Sequence, residues 1–159
     1  MIMEPSYEKL LVRLADARVD FVVVGSLAVT LQGYVRFTED IDILVDADFR
    51  NIRRLLDCLA GFGEGFAREL AIDDFAEKEG FVRIVEEVEQ CQIDVFTLMD
   101  GRRHADVAKD ADVFELDGRE IRYASVDTLL GWKEDSEREK DRLDALALRQ
   151  LQLDPTVFD

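Results

Sequence analysis

Runs of apolar residues separated by polar turns divide this chain into segments of helical and strand character. Four consecutive apolar residues, 21–24, three of them β-branched, predict a strand buried on both faces. Gly25 and Ser26 interrupt the run, and a helix is predicted over 26–32. A second apolar run predicts a strand over 40–45. We take this strand–turn–helix–strand unit as the centre of the fold.

The rest of the chain continues the alternation of helix and strand. Helical spacing of Leu10, Leu11 and Leu14 predicts a first helix, and Phe49 and Ile52 lie on the apolar side of another. An Asp-Gly pair, which suits a type I′ turn, predicts a hairpin. The predicted elements are helices over 5–18, 47–60, 102–111, 126–135 and 137–151, and strands over 81–85, 92–98, 113–116 and 120–124.

Three local details complete this prediction. Ser125 is a suitable N-cap for the helix that follows it. The inner side of the last helix is expected to carry Leu143, Leu146 and the rows of Ala147 and Gln150. Residues 61–79 contain three glycines and no consistent pattern, so no element is predicted there.

The length of 159 residues and an apolar content of 48% are sufficient for a substantial core. We predict a single domain over 1–159 of the α/β (α+β) class, with a C-terminal helical portion at about 126–151. Its sheet is expected to be mixed and partly antiparallel, with acidic side chains on one face and helices on the other.

Three carboxylates occupy strand positions where an ordinary sheet gains nothing from them. Because side chains alternate along a strand, Asp40 and Asp42 point to one face while their apolar neighbours point to the other. Asp94 lies between apolar residues of a separate strand, where an unpaired carboxylate would be unfavourable. Acids also cluster by chance in a chain with 36 of them. A divalent cation would nevertheless reverse their repulsion, so all three are candidate metal ligands.

A strand-to-helix junction is expected at Gly25 and Ser26, where backbone N–H groups and the helix dipole favour an anion. Both are candidate phosphate-binding residues, although Ser26 could simply cap the helix. Cationic residues that could neutralise a phosphate occur later in the chain, with surface ion pairing as the alternative: Arg36, Lys133, Arg138 and Lys140. Together these features are the parts needed to move a nucleotidyl group.

The formal net charge of −16 limits the classes of partner. A protein this acidic repels polyphosphate backbones at long range, so extended nucleic-acid binding is not expected. No apolar run approaches the ~20 residues of a membrane span, and the N-terminal residues are unlike a secretory signal. Cys58 and Cys91 are expected to be free thiols, and we expect a reducing, cytoplasmic location.

The Gly25-Ser26 pair, thirteen intervening residues and Asp40-Ile41-Asp42 together resemble the motif of the polymerase-beta-like nucleotidyltransferase superfamily. Asp94 looks like the third carboxylate of that superfamily, on a later strand. The resemblance covers roughly residues 7–150 and implies the nucleotidyltransferase fold.

Two further runs are similar to the short bacterial members of the superfamily. These include antibiotic-modifying nucleotidyltransferases and the toxin-type enzymes of toxin–antitoxin and phage-exclusion loci. One run is Arg36-x-Thr38-x-Asp40, and the other is 133–144, which resembles their Lys…Arg-x-Lys-Asp-x-x-Asp helix. The resemblance is therefore to the minimal bacterial type.

This resemblance implies Mg²⁺-dependent transfer of a nucleoside monophosphate from an NTP, such as ATP, to a hydroxyl group, with release of pyrophosphate. Two Mg²⁺ ions would be held by Asp40 and Asp42. Asp94 would bind one of them and help to deprotonate the acceptor.

The phosphate contacts that the resemblance implies involve the junction and two cations. Gly25 and Ser26 would hold the β- and γ-phosphates, while Arg36 and Lys133 would contact phosphate or the leaving group. Asp141 and Asp144 are expected to be structural, with Asp144 able to pair with Lys140 one helical turn away.

The acceptor could be a protein, a small molecule or RNA, and the acidic charge disfavours tRNA. A chain this short has little room for an acceptor-binding domain, so a homodimer or a partner protein could supply that surface. The alternative function is a catalytically inactive module of the same fold that binds a nucleotide or a partner.

Overall fold

The computed structural model describes residues 3–35, 38–134 and 136–159. Within these residues, six α-helices and six strands follow one another, with two short 3₁₀ turns at Phe66–Glu69 and Ile72–Phe75. In chain order the elements are α1 (Pro5–Asp16), β1 (Phe21–Val24), α2 (Gly25–Gln32), β2 (Ile41–Val45), α3 (Phe49–Ala60), β3 (Val82–Glu86), β4 (Cys91–Phe96), α4 (His104–Ala108), β5 (Asp112–Leu116), β6 (Arg119–Tyr123), α5 (Val126–Lys133) and α6 (Glu139–Leu153).

The strands form one six-stranded sheet in the order β3-β4-β2-β1-β6-β5. The pairs β1/β2, β3/β4 and β5/β6 are antiparallel, whereas β1/β6 and β2/β4 are parallel. The predicted mixed α/β class is therefore confirmed. Both central strands, β1 and β2, belong to the unit in which the sequence pattern was strongest.

The core lies around β1 and β2. All four residues of β1 are buried, as the continuous apolar run predicted. In β2, Ile41 and Ile43 are completely buried on the face opposite to Asp42. Each fully buried Ile or Val side chain stabilises the fold by about 1.5–3 kcal/mol. The apolar face of β2 therefore fixes the face to which Asp42 points.

Helices cover the sheet in two groups. α1 contacts α3, and α2 contacts both α5 and α6.

α5 begins as predicted, because the Ser125 side chain accepts a hydrogen bond from the Thr128 backbone N–H at 3.1 Å. The β5–β6 hairpin turns at Asp117 and Gly118, whose φ values of 50° and 79° are those that a type I′ turn requires.

Two helix faces differ from the prediction. Phe49, expected on the inner side of α3, is 58% exposed because Asp48 caps the helix and places Phe49 in its first turn. Leu143 and Leu146, expected on the inner side of α6, are 51% and 62% exposed. Gln150 is exposed as well, whereas Ala147 is buried as expected. The inner side of α6 consists of Asp144, Ala145, Ala147, Leu148 and Leu151. A buried acid decides this orientation, and an apolar pattern cannot detect it.

Several predicted ends are wrong by one to three residues. The strand predicted over 81–85 is β3 (Val82–Glu86), and the helix predicted over 102–111 is α4 (His104–Ala108). Residues 61–79, for which no element was predicted, contain the two 3₁₀ turns. The buried Glu86 holds the start of this segment, because its carboxylate accepts hydrogen bonds from the backbone N–H groups of Glu64 and Phe66, each at 3.0 Å.

Both cysteines are buried free thiols, as expected. Burial raises the pKa of Cys58, and it raises the pKa of Cys91 to about 12. No helix within the described part of the chain combines the length and the apolar character needed to cross a membrane.

Asn51 of α3 connects the helix to the backbone at one end of the central strand pair, where β1 begins and β2 ends. Its side chain donates to the carbonyl oxygens of Asp20 and Asp46 at 3.1 and 2.8 Å, and accepts from the Asp20 N–H at 2.7 Å. Asn51 is only 2% exposed, so its amide group depends on these three bonds for its hydrogen-bond partners.

We therefore expect Asn51→Ala to lower the free energy of unfolding by about 2–4 kcal/mol, because it removes three hydrogen bonds and the packing of a buried side chain. Urea denaturation measures this change. Arg54→Ala, at an exposed position of the same helix, is the matched control and should change stability by less than about 0.5 kcal/mol. Equal effects of the two substitutions would contradict the structural role of Asn51.

Candidate active site

Three carboxylates meet at one end of the central strands. Asp42 lies in β2, and its register partner in the parallel strand β4 is Asp94. Asp40 lies two residues before Asp42, immediately outside β2. One oxygen from each of the three side chains lies within 4.8 Å of the others. The structure thus brings together all three acids that the sequence singled out as metal ligands.

The environment of this cluster opposes ionisation. Burial, followed by the nearby charges of Asp40 and Asp94, raises the pKa of Asp42 to about 7. The pKa of Asp40 is also raised, first by burial and then by its hydrogen bond to Asp94. A bound cation would relieve the repulsion that burial and crowding produce. Carboxylate oxygens are the ligands that Mg²⁺ prefers, so these residues fit the metal that the sequence implied.

The Gly25 turn lies against Asp42. Gly25 has φ = +68°, and a Cβ atom added to it would lie 2.0 Å from Asp42 Oδ2. Only glycine allows both this backbone conformation and this close approach. Ser26 follows in the first turn of α2, with 9% of its surface exposed. The backbone N–H groups at the start of α2 are therefore next to the carboxylate cluster, as an anion-binding junction requires.

Lys133 lies at the end of α5 and is held by two acids of α6. Its Nζ donates to Asp144 Oδ2 at 2.8 Å and to Asp141 Oδ1 at 3.1 Å. Asp144, which the sequence suggested as a partner of Lys140, is thus bonded to Lys133. Arg36, the other predicted phosphate contact, lies outside the described residues.

These groups line one cavity of about 510 Å³. Its carboxylate end is formed by Asp40, Asp42 and Asp94, with the Gly25 turn beside them. Other lining residues contribute positive charge, negative charge or apolar surface: Arg83, Lys133, Arg138, Lys140, Glu79, Asp100, Asp141, Phe81, Phe96, Leu98, Met99 and Trp132. The cavity therefore combines candidate metal ligands, an anion-binding turn and cations.

Arg83 belongs to this cavity and was not singled out from the sequence. Its Nε donates to Asp94 Oδ1 at 2.9 Å, and its Nη2 donates to Asp94 Oδ2 at 3.1 Å. Arg83 and Asp94 are direct partners across the β3–β4 ladder. One signal in the sequence could have identified Arg83. Side chains alternate along the predicted strand, so Arg83 points to the face opposite to that of the apolar residue at position 84. The register that pairs it with Asp94 could not be determined without the turn geometry.

Comparison with known proteins agrees with this geometry. Residues 6–133 match the model of a family described as "Nucleotidyltransferase of unknown function (DUF6036)". The chain belongs to this family. The superfamily assignment made from the sequence motif is thereby confirmed. No curated protein matches the chain.

One solved structure of a nucleotidyltransferase-like protein has the same fold, and a second is less similar. An antigenic nucleotidyltransferase-like protein from Paracoccidioides brasiliensis superposes with a TM-score of 0.58 at 16% identity, covering 93% of this chain and 76% of that chain. A candidate nucleotidyltransferase from Thermotoga maritima gives a TM-score of 0.49 at 19% identity, covering 98% and 92% of the two chains. At 16% identity, the similarity to the Paracoccidioides brasiliensis protein supports the fold alone.

The close contact between Gly25 and Asp42 leads to a test by substitution. We expect Gly25→Ala to lower the free energy of unfolding by about 2–4 kcal/mol, because a left-handed Ala and a displaced Asp42 side chain are both unfavourable. Gly101 has a similar φ of +76°, but a Cβ atom there would meet nothing within 4 Å. Gly101→Ala therefore isolates the backbone contribution, and urea denaturation should show a smaller loss, near 1 kcal/mol. Similar losses would argue against the contact.

The raised pKa of Asp42 leads to a pH-dependent test in EDTA. Its pKa is raised to about 7 in the folded protein, against an ordinary value of 3.8. The folded state therefore binds the proton more tightly, and this group lowers stability as pH rises from about 4 to 7. Asp42→Asn cannot ionise, so its stability relative to the unmodified protein should increase over that window and then level off. Urea denaturation at several pH values measures the difference.

Asp57→Asn removes one exposed acid of α3 and is the control for the loss of a charge. A relative stability of Asp42→Asn that stays constant between pH 4 and 7 would contradict the unfavourable ionisation of Asp42.

Proposed function

We propose that this protein transfers a nucleoside monophosphate from an NTP to a hydroxyl group of an acceptor, in a reaction that depends on Mg²⁺. The observation that supports the proposal is the convergence of Asp40, Asp42 and Asp94 from two neighbouring strands, beside the Gly25 turn. In balanced form, the acceptor oxygen bonds to the α-phosphorus, the bond to the β-phosphate breaks, and pyrophosphate leaves.

Asp40 and Asp42 would hold the metal ions, with Asp94 as a ligand on the adjacent strand. Two Mg²⁺ ions, when bound, would supply positive charge for the reacting phosphate and the acceptor oxygen. Asp94 would also orient the acceptor hydroxyl and help to remove its proton. Burial of Asp94, and the partial burial of Asp40 and Asp42, strengthens these electrostatic interactions by reducing their screening by water.

The residues around the Gly25 turn would bind the triphosphate. Backbone N–H groups of Gly25 and Ser26 would hold the β- and γ-phosphates at the start of α2. Lys133, fixed by Asp141 and Asp144, would neutralise charge on the leaving pyrophosphate. Arg138 and Lys140 line the same cavity and would add to this positive potential, and we retain Arg36 as a further phosphate contact.

The charge of the whole chain favours a protein or small-molecule acceptor over an extended RNA. We propose ATP as the first donor to test. A second copy of the chain, or a partner such as the other half of a toxin–antitoxin pair, could complete the acceptor surface.

One observation favours a second candidate function. Both carboxylate oxygens of Asp94 accept bonds from Arg83, a contact that a metal ligand must share or lose. An inactive module that binds a nucleotide or a partner would tolerate this pair permanently. Calorimetry distinguishes the two functions, since nucleotide binding that is independent of Mg²⁺ and without turnover would favour the inactive module.

Labelled nucleotides test the proposed reaction directly. The protein is incubated with Mg²⁺, cell extract and an NTP labelled at either the α- or the γ-phosphate. We expect the α-label to be transferred to an acceptor and the γ-label to be released in pyrophosphate. Asp40→Asn and Asp42→Asn should each reduce transfer at least about a hundredfold, because they remove metal ligands.

Asp57→Asn is the matched control and should retain the activity of the unmodified protein. Transfer of the γ-label would indicate a different phosphoryl-transfer reaction. Equal labelling by the unmodified protein and Asp42→Asn would exclude the assigned role of the carboxylates.

A further inference from the structure

Arg83 forms the most complete side-chain contact made by any described residue to the candidate metal ligands. Two of its nitrogens bind the two oxygens of Asp94, in the planar fork geometry that favours a guanidinium and a carboxylate. The Asp94 side chain is 5% exposed, whereas the Arg83 side chain is 48% exposed. The buried acid is therefore neutralised by a cation that reaches in from the surface of the cavity.

The Asp94 carboxylate cannot bind Arg83 and a divalent cation equally well at the same time. Arg83 uses one acceptor site on each oxygen of Asp94, and a metal bound there would lie a few ångströms from the guanidinium. Two like charges at that separation in a poorly screened site repel each other strongly. Binding of a metal must therefore weaken the Arg83–Asp94 pair or displace it.

Arg83 has a second partner, Phe81, with which it could stay in contact after leaving Asp94. Its guanidinium lies 5.1 Å from the centre of the Phe81 ring, and Phe81 is 50% exposed at the wall of the cavity. A guanidinium released from Asp94 could remain over this ring, where cation–π attraction stabilises it. Since Arg83 is half exposed, this movement requires no change in the core.

We infer that Arg83 is a built-in counterion that neutralises Asp94 in the metal-free protein and competes with the divalent cation for that carboxylate. The inference rests on the proposed function, because it takes Asp94 to be a metal ligand. Arg83 is a positioning residue, since it acts through Asp94. Loss of Arg83 should therefore have two effects. It should lower the stability of the metal-free protein, and it should raise the affinity for the divalent cation.

A second arginine provides a matched control. Arg119 of β6 donates from Nε and Nη2 to the two oxygens of Asp16, at the same 2.9 and 3.1 Å. Asp16 is 53% exposed, however, and neither residue lines the cavity of the carboxylates. Arg119→Gln therefore removes the same charge and the same kind of ion pair at a different place.

The test is calorimetric titration of the full chain with Mn²⁺ alone, for the unmodified protein, Arg83→Gln and Arg119→Gln. We expect Arg83→Gln to bind Mn²⁺ at least about threefold more tightly, because one opposing positive charge is gone. Arg119→Gln should bind as the unmodified protein does. Thermal denaturation is the second readout: Arg83→Gln should unfold at a lower temperature in EDTA, and excess Mn²⁺ should raise its midpoint more than that of the unmodified protein.

Unchanged or weaker Mn²⁺ binding by Arg83→Gln would overturn the inference and leave the proposed function standing. An equal gain in Arg119→Gln would overturn it as well, because the effect would then be one of total charge. Binding by Arg83→Gln alone would support competition in its strongest form. Absence of Mn²⁺ binding in all three proteins would refute the metal site and the inference together.

If Arg83→Gln does not fold, Arg83→Lys replaces it in the Mn²⁺ titration. It keeps the charge but cannot form the two-bond fork, so it should bind Mn²⁺ more tightly than the unmodified protein. An affinity no greater than that of the unmodified protein would count against the inference.

Discussion

Electrostatic repulsion among Asp40, Asp42 and Asp94 is the constraint on which this structure depends. The parallel pairing of β2 and β4 places Asp42 directly beside Asp94. On the opposite face, the paired residues Ile41 with Ile93 and Ile43 with Val95 are buried in the core and hold that register. Apolar burial thus supplies the free energy that keeps the acids together, and the pKa of Asp42, raised first by burial and then by the nearby acids, shows that ionisation of Asp42 remains unfavourable.

The cations around the cluster have different partners. Lys133 is held by Asp141 and Asp144, whereas Arg83 binds a member of the cluster itself. The described lining of the cavity carries four cations and six acids, so its positive charge is local and lies beside the carboxylates. The chain as a whole carries −16, and this charge repels a long polyanion at long range.

Much of the fold could be predicted because its signals are local. The apolar run of β1, the Asp117-Gly118 turn and the Ser125 cap each depend on residues a few positions apart, and all three agree with the structure. The motif of glycine, serine and spaced acids was likewise readable in order along the chain. On the inner face of α6, Ala147 was predicted correctly, but Leu143 and Leu146 were predicted wrongly, because a buried Asp144 bonded to Lys133 outweighs their positions.

The sequence by itself determined the residue types at the candidate site, the α/β class and the membership of the nucleotidyltransferase superfamily. Only the tertiary structure decided that Asp94 lies beside Asp42, that Arg83 binds Asp94, and that Asn51 ties α3 to the strands. The physical reason is the same in each case. Strand order and register depend on how distant apolar faces pack together, and no local pattern specifies that packing.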